Sequence, residues 1–536
     1  MKLHGLFISI LLLNASVIFA QQGQDSGSEK DSSIRFINVA PEMGLTDPIL
    51  GVAVHGAAWG DINNDNYPDL FLGVFRNHST KPNLILLNKE GKKFVKTDNP
   101  DVESVISRNT GASFADLDGD GDDDLVVVHV NHLLGGMPES NFLYRNDGMG
   151  NFTDVTPASN LGFTGEWTGR NPFVLDYDGD GMLDLLMQDD DVWENSRGYS
   201  RLMKNKGDLV FEDVTLSTEL GTHLHGLGGA VADINGDSWP DFFFAQTSDM
   251  YINQKDGTFS KVDYGFISPP YKVSTDEGNE EWTCGADLGD LDNDGDLDLV
   301  MGDHFKNLPH RIFVYLNEGN DANGFPQFRD VSDSAGVITA SKRQPYVEIQ
   351  DYDNDGRLDI LVGNPEIFIY RNQGLKNGIP QLGLVSIPED ASAGFLKYWV
   401  CAPSADFNLD GKMDIYFGSY DSLVLSPLLL NTSPDKNYLN VRVALPSGGN
   451  RKGIGATVKI YEKGMAGNPE GFLGMQYITV SRGYGSGGIP EAHFGIPGKD
   501  SVDVVVWMPC DGPVFRSVAG KNSSCILPGA PDIVPK

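Results

Sequence analysis

A nine-residue acidic pattern recurs seven times along this chain and constrains the fold more than any other feature. The copies start between 55 and 61 residues apart, at Asp61, Asp116, Asp176, Asp233, Asp290, Asp351 and Asp406. Each has Asp at its first, fifth and ninth positions and Asp or Asn at its third. So even a spacing predicts one structural unit for each copy.

Each unit has four short β-rich runs. A small, apolar run precedes the acidic loop (GASFA, 111–115), and an apolar run follows it (LVVVHV, 125–130). A third run ends in Asn (FLYRN, 142–146), and a fourth reads NFTDVT (151–156). Four short antiparallel strands in each repeat are typical of a propeller blade.

The seventh unit lacks its fourth run, but a matching segment, RFINVAPEMGL, precedes the first unit at 35–45. An N-terminal strand in the last blade would close the ring and remove the exposed sheet edges. The sequence therefore predicts an all-β fold. We expect a seven-bladed β-propeller over 34–431, closed by the N-terminal strand, followed by a small β-sandwich-like domain over 437–528.

The chain begins with the pattern of an exported protein. Residues 1–20 carry one lysine, an apolar run and a small residue at Ala20, as a secretory signal peptide does. A polar, flexible linker over 21–33 and a tail over 529–536 complete the predicted organisation. No other stretch has the ~20 apolar residues of a spanning helix, so we expect a secreted, monomeric protein, extracellular or periplasmic if bacterial.

The strong negative charge limits the possible partners. The chain has 75 acidic and 40 basic residues, a net charge of −35, yet 40% of its residues are hydrophobic. That apolar content is too high for a disordered acidic tail. A nucleic-acid role is excluded because no basic patch offsets phosphate repulsion. An extracellular protein or a glycan is the expected partner.

The acidic loops have the composition of calcium sites, since Ca²⁺ takes six to eight oxygen ligands and alternate side chains of a tight loop supply them. Up to seven ions are predicted. The first-position ligands are Asp61, Asp116, Asp176, Asp233, Asp290, Asp351 and Asp406. The third-position ligands are Asn63, Asp118, Asp178, Asn235, Asp292, Asp353 and Asn408. The fifth-position ligands are Asp65, Asp120, Asp180, Asp237, Asp294, Asp355 and Asp410.

The two remaining ligand positions close the loop. The seventh position offers its backbone carbonyl, from Tyr67, Asp122, Met182, Trp239, Asp296, Arg357 and Lys412. The ninth-position acids are Asp69, Asp124, Asp184, Asp241, Asp298, Asp359 and Asp414. An EF-hand needs Glu at position 12 and flanking helices, whereas these loops run into a strand. The loops that start at Asp61 and Asp233 lack the sixth-position glycine, so they are predicted to be the weakest sites.

These repeats resemble the FG-GAP/VCBS calcium-binding propellers, including the head of integrin α-chains. The resemblance covers most of the mature chain and implies structural calcium on one face of the propeller. Residues 437–528 resemble the ASPIC/UnbV domain, on NRKGIGATV (450–458), HFGI (493–496) and Trp507. They depart from it at SRGYGSGG (481–488) and at Cys510. The combination is similar to the cartilage acidic protein family.

The segments before the first strands are expected at the opposite mouth of the channel, where they could form a site for an anionic or sugar ligand. Their candidate residues are His55, Arg108, Arg170, His223, His225, Trp282, Arg343 and Trp399. For any one of them, ordinary packing is the alternative. No catalytic constellation is recognised, so the chain is not expected to be an enzyme.

Cysteines and sequons give two further expectations. Cys510 and Cys525 are predicted to form a disulfide, whereas Cys284 and Cys401 could be bridged or be two buried free thiols. Asn77, Asn431 and Asn522 start glycosylation sequons for a eukaryotic source, and Asn151 starts a fourth, less accessible one.

The sequence as a whole favours a secreted, calcium-stabilised binding, adhesion or matrix module. The alternatives are a glycan-binding lectin and a secreted enzyme acting on polysaccharide.

Overall fold

The computed structural model describes residues 33–75, 79, 81–105, 107–130, 141–163, 169–189, 199–221, 224–264, 283–303, 310–339, 345–363, 367–387 and 399–528. The predicted signal peptide over 1–20, nearly all of the 21–33 linker and the 529–536 tail lie outside them. Within the described part, no helix is long and apolar enough to cross a bilayer.

Seven four-stranded antiparallel blades form the propeller, one for each acidic repeat, and the sheet of blade one is extended to six strands by Ser481–Arg482 and Ser486–Gly487. The first strands are Val54–Gly60, Asn109–Ala115, Gly169–Leu175, Gly229–Ala232, Thr283–Gly289, Tyr346–Gln350 and Ser404–Ala405. The second strands are Asp69–Val74, Asp124–His129, Asp184–Asp189, Asp241–Phe244, Asp298–Asp303, Asp359–Gly363 and Asp414–Tyr416. The first strands of blades one to six each contact the next one along the chain, and Trp399–Cys401 of the seventh repeat contacts blades six and one, so together they surround the channel.

The outer half of each blade follows the same order. The third strands are Leu84–Asn88, Phe142–Asn146, Arg201–Asn205, Asp249–Asn253, Phe313–Asn320, Ile367–Lys376 and Leu428–Asn431. The fourth strands of blades one to six are Phe94–Lys96, Phe152–Asp154, Phe211–Asp213, Phe259–Asp263, Pro326–Asp330 and Ile379–Ser386. One-turn helices follow outer strands at Thr46–Ile49, Pro100–Glu103, Thr156–Ser159 and Ser332–Ala335.

Blade seven is completed from the other end of the chain. The N-terminal strand Phe36–Asn38 pairs antiparallel with Leu428–Asn431, and Thr432 N donates to Arg35 O at 2.7 Å. A further antiparallel pair in this repeat joins Trp399–Cys401 to Gly418–Ser419. The predicted all-β propeller with an N-terminal closing strand is confirmed.

The small residues before each acidic loop are explained by the narrow centre of the ring. A Cβ atom at Gly111 would lie 2.3 Å from Arg170 O of the next blade, and one at Gly56 would lie 3.0 Å from Gly111 Cα. Larger side chains of successive sheets pack between the blades, as Phe71 and Phe114 do within the cluster that joins blades one and two. Burying such apolar surface is the main stabilising term of the ring.

Two further sheets follow the propeller and form the C-terminal sandwich. One sheet contains Ala492–Gly495, Tyr438–Val443 and Ser523–Leu527, in that order. The other contains Phe472–Tyr477, Thr457–Glu462, Ser501–Trp507 and Val514–Gly520, and a short 3-10 helix spans Pro469–Gly471. The sheets enclose their own apolar core, which includes Val441, Val458 and Val504.

The predicted disulfide between Cys510 and Cys525 was wrong, since all four cysteines are free. Cys510 lies in a turn, where its Sγ donates to Asp176 O of the propeller at 3.2 Å. Cys525 lies instead in the strand Ser523–Leu527, opposite Val441. Of the two alternatives left open for Cys284 and Cys401, the structure has the buried free thiols.

The Asn that ends each third strand joins neighbouring blades. Asn205 Nδ2 donates to Leu183 O within blade three at 2.9 Å and to Leu117 O of blade two at 2.7 Å. The same bond to the preceding blade is made by Asn88, Asn146, Asn253, Asn317, Asn372 and Asn431. These buried amides thus form a closed ring of seven inter-blade hydrogen bonds. Asn431 is therefore not a glycosylation site, as its amide nitrogen is engaged in this ring.

We expect Asn205→Leu to lower the free energy of unfolding by about 1–3 kcal/mol, the cost of leaving buried polar groups unsatisfied. The carbonyls of Leu117 and Leu183 would lose their donor. Chemical denaturation of the full chain measures the change, and Asn323→Leu on an exposed hairpin is the control. Equal stabilities of the two variants would contradict a structural role for the Asn ring.

Candidate metal centres

Each acidic loop, numbered one to seven with its blade, is folded by its own carboxylates. In loop five, Asp290 Oδ1 accepts from Asp294 N at 3.0 Å, and its Oδ2 accepts from Gly295 N at 3.1 Å. Asp294 Oδ1 accepts in turn from Asp296 N at 3.0 Å. These bonds curl the backbone so that the alternate acids converge. In the described residues, four triplets of carboxylates have oxygens within 4.8 Å of one another, in loops two, three, five and six.

The ninth-position Asp anchors the loop to the blade. Asp298 is fully buried, and its Oδ2 accepts from Leu291 N while its Oδ1 accepts from Asn317 N, both at 2.8 Å. The same two bonds recur in the other six loops. A carboxylate oxygen has more than one lone pair, so this anchoring role is compatible with the predicted role as a ligand.

Loops one and four keep the turn although they lack the sixth-position glycine. Asn66 and Ser238 adopt φ of 70° and 72° there, against 97° for Gly295. Asn tolerates this left-handed region better than most side chains. The missing glycine therefore does not prevent the loop from forming, and the weakness predicted for these two sites remains a prediction.

Burial makes the clustered carboxyls difficult to ionise without a cation. It raises the pKa of Asp116 and Asp176 at the first position to about 6. It raises the pKa of Asp124 and Asp184 at the ninth position to about 8, with neighbouring acids adding to the effect. A bound divalent cation would favour the ionised forms, because an opposite charge nearby stabilises a carboxylate.

Two buried oxygens give the direct test of whether a cation fits. Asp178 Oδ1 in loop three and Asp292 Oδ1 in loop five are buried and have no hydrogen-bond partner. Both belong to carboxylate triplets. Leaving such an oxygen unsatisfied is costly, and hard oxygen donors are what Ca²⁺ requires. The residues present therefore fit a calcium ion.

The loops differ in the side chain just before the third-strand Asn. In blades one, four, five and seven it is apolar, namely Leu87, Ile252, Leu316 and Leu430. In blades two, three and six it is basic and bridges to loop carboxylates. These bridges are Arg145 Nε to Asp118 at 3.0 Å, Lys204 Nζ to Asp180 at 3.0 Å, and Arg371 Nε to Asp353 at 2.7 Å. The residue at this position thus places a protein cation against the carboxylates of loops two, three and six.

The C-terminal sandwich contacts the face of the propeller that carries the loops. Lys452 Nζ bridges to Asp123 of loop two at 2.7 Å, and Cys510 N donates to Ser238 O of loop four at 2.6 Å. Lys459 Nζ donates to Gly295 O of loop five at 3.1 Å. The loops are therefore both candidate metal centres and the surface that the sandwich covers.

Residues 481–488, here called the plug, extend from the sandwich into the central channel. Ser486 and Gly487 pair in parallel with Ala57 and Ala58, extending the sheet of blade one. Ser481 Oγ donates to Pro172 O of blade three at 2.8 Å. Only glycine fits at 485, where φ is +67° and a Cβ would lie 2.8 Å from Thr110 O.

The predicted ligand mouth is partly filled by the plug. The rings of His55 and Tyr484 are 5.7 Å apart, and Arg170 Nη1 donates to Tyr484 OH at 3.4 Å. Arg108 is buried. His225 precedes the first strand of blade four, and its Nδ1 lies 3.9 Å from Asp189 Oδ1 of blade three. His223, Trp282, Arg343 and the side chain of Trp399 lie outside the described residues, as does Asn77.

Sequence reasoning missed the function of two features. The Asn at the end of each third run was visible as a repeat, but nothing in one blade shows its bond to the next. The plug coincides with SRGYGSGG, the segment where the chain departs from the ASPIC/UnbV pattern, and this departure was the available signal.

Comparison with known proteins agrees with the geometry. The model of the FG-GAP-like repeat matches residues 61–127, 132–187, 233–301, 290–362 and 351–417, together more than half of the chain. The ASPIC and UnbV model matches residues 446–513.

Curated relatives match most of the chain. Cartilage acidic protein 1 of Mus musculus is 23% identical over 517 residues, which cover 88% of this chain and 73% of that protein. The Homo sapiens protein of that name is 24% identical over 447 residues, covering 78% of this chain and 62% of its own length.

Among solved structures, the lead-soaked complex of BBS1N with ARL6DN aligns with a TM-score of 0.41 and 9% identity over 73% of this chain and 96% of that one. This likeness is too weak to support an argument. From the repeat matches, the chain belongs to the FG-GAP-like repeat family and carries an ASPIC and UnbV domain after its propeller.

Proposed function

We propose that this chain is an exported, calcium-stabilised propeller that serves as an extracellular binding or matrix module. Its main support is the set of carboxylate triplets, in which Asp178 and Asp292 each have a buried oxygen without a hydrogen-bond partner. Export is supported by the N-terminal signal pattern and by the similarity to cartilage acidic protein 1.

Calcium would have a structural role in this proposal. Carboxylates at positions one, three and five would supply side-chain oxygens, and the seventh-position carbonyl would complete the loop. The ion would neutralise acids that the fold has already brought together. The ninth-position Asp begins the second strand and bonds the third strand. An ion bound to it would therefore connect the loop to the whole blade.

The lectin and enzyme alternatives both need a ligand site at the channel mouth. The side chains of His55 and Arg170, which were candidates for that site, contact Tyr484 of the plug instead. The proposal therefore places partner binding on the outer surfaces of the propeller and the sandwich.

Removal of calcium should lower the thermal midpoint of the full chain. A site saturated at 100 times its dissociation constant adds about 2.7 kcal/mol to the free energy of unfolding. Differential scanning calorimetry with calcium or with EDTA measures this stabilisation. Identical melting curves in the two buffers would contradict the proposal.

The substitution Asp292→Asn should remove most of the calcium affinity of loop five, because it replaces a carboxylate that has a buried oxygen without a partner. Isothermal titration calorimetry should then show one site fewer, or one site weakened at least about tenfold, or about 1.4 kcal/mol. Asp333→Asn, at an exposed position outside the loops, is the control. A titration unchanged by Asp292→Asn would argue against calcium in loop five.

The variant Lys204→Met should strengthen calcium binding in loop three. It removes a positive charge that bridges to Asp178 and Asp180, and a unit charge near the site is worth roughly 1–4 kcal/mol at 4 Å. We expect a gain in affinity of at least about fivefold by calorimetry, the lower end of that range. Lys206→Met, which removes a lysine paired with Glu212 outside the loop, is the matched control. Equal affinities for both variants would show that Lys204 does not oppose the ion.

A further inference from the structure

The sandwich presents basic side chains to the acidic face of the propeller. Arg442, Arg451 and Lys452 line a cavity of about 240 Å³ together with Asp61 and Asp123 of loops one and two. Of these, Lys452 bridges directly to Asp123. Opposite charges across an interface favour one orientation of docking, so the charge state of the loops bears directly on how the sandwich is held.

Loop six makes two buried contacts with the sandwich. Gly495 N donates to Asp351 Oδ2 at 3.1 Å, so a candidate metal ligand is also an acceptor for the sandwich backbone. His493 Nε2 lies 2.7 Å from Asn354 Oδ1 in the same loop. Asp351 and Asn354 are 2% and 3% exposed. The shape of loop six and the position of the strand Ala492–Gly495 therefore depend on each other.

The plug is held at both ends by these loop contacts. The strand Phe472–Tyr477 leads into it, and Met475 and Tyr477 of this strand pack in one apolar cluster with Leu297 of loop five. The strand Ala492–Gly495 follows it and contacts loop six through Gly495. The chain between them is short, so its two anchors set how deeply the plug enters the channel.

Inside the channel the plug forms a short antiparallel hairpin, with Ser481 paired to Gly487, and it also bonds to the blades. Gly485 N donates to Asn171 Oδ1 at 2.8 Å, and Ala57 N donates to Gly485 O at 3.0 Å. Arg482 lies 3.6 Å from Asp287, a fully buried acid of blade five. A small shift of the sandwich would break these bonds together.

We propose that calcium in loop five holds the sandwich in its docked position, and thereby keeps the plug in the channel. Loop five has five acids and no basic residue before its Asn317, so without calcium it is subject to strong repulsion. Loss of the ion would loosen Gly295 O, which accepts from Lys459 of the sandwich. The channel residues around Tyr484 would then become accessible. This inference rests on the calcium binding proposed above.

Coupling of this kind is reciprocal, since two linked equilibria change each other by the same factor. The docked plug must therefore raise the calcium affinity of the loops, although it does not touch the ions. This consequence can be tested from the channel side, by a substitution far from every loop.

Hydrogen exchange of the full chain, with calcium and with EDTA, tests the first direction. Peptides covering the plug and those covering loop five should exchange faster in EDTA. The strand Ser501–Trp507, paired on both sides within the sandwich, should stay protected and serves as the control. Faster exchange in loop five with an unchanged plug would overturn this inference alone. An absence of change in loop five would overturn the proposed calcium function as well.

The variant Tyr484→Ala tests the second direction. It weakens the plug at its contacts with His55 and Arg170, and we expect the calcium affinity of loop five to fall about fivefold or more, the lower end of typical couplings. The control is Val102→Ala, a fully buried residue of the helix Pro100–Glu103, in a cluster formed by blades one and two. If calorimetry shows equal losses for both variants, general destabilisation accounts for the effect and the inference fails.

Discussion

The interaction on which the rest of the structure depends is the pairing of the ninth-position Asp with the Asn of the third strand. Asp298 accepts from Asn317 N and Leu291 N, and Asn317 Nδ2 reaches Ile234 O of the preceding blade. One buried acid thus fixes the loop, the second and third strands and, through the Asn, the neighbouring blade. Because the arrangement recurs in all seven repeats, it closes a ring around the channel.

The acidic loops and the C-terminal sandwich can be understood from this ring. Once the ninth acid is anchored, the acids at positions one, three and five converge on one face of the propeller. Their repulsion needs a counter-charge, and the structure offers two kinds. One is the calcium that we propose, and the other is a set of protein cations, such as Lys204 within a blade and Lys452 from the sandwich. The sandwich therefore docks where negative charge is greatest.

Much of the fold could be predicted from the sequence because it arises from local repetition. The spacing of the acids identified the seven blades, and RFINVAPEMGL identified the closing strand. The family resemblance and the positions of the candidate ligands were also available at that stage. These inferences needed only the pattern within one repeat and a comparison between repeats.

Contacts between distant segments could not be predicted in this way. The plug is rich in glycine and has no periodicity, and the narrow channel that requires Gly485 exists only when all blades are assembled. The disulfide prediction used the closeness of Cys510 and Cys525 in sequence, whereas Cys510 is held by Asp176 and Ser238 of the propeller. Asn431 resembled a glycosylation site because its sequon does not reveal that its amide binds Tyr352 O.

The most direct measurement of the central claim is calcium-specific anomalous diffraction from crystals of the full chain grown with calcium. We predict a peak enclosed by the carboxylates of Asp290, Asp292 and Asp294 in loop five, at the ~2.3–2.6 Å distances that calcium prefers. A well-ordered loop five without such a peak would contradict the account.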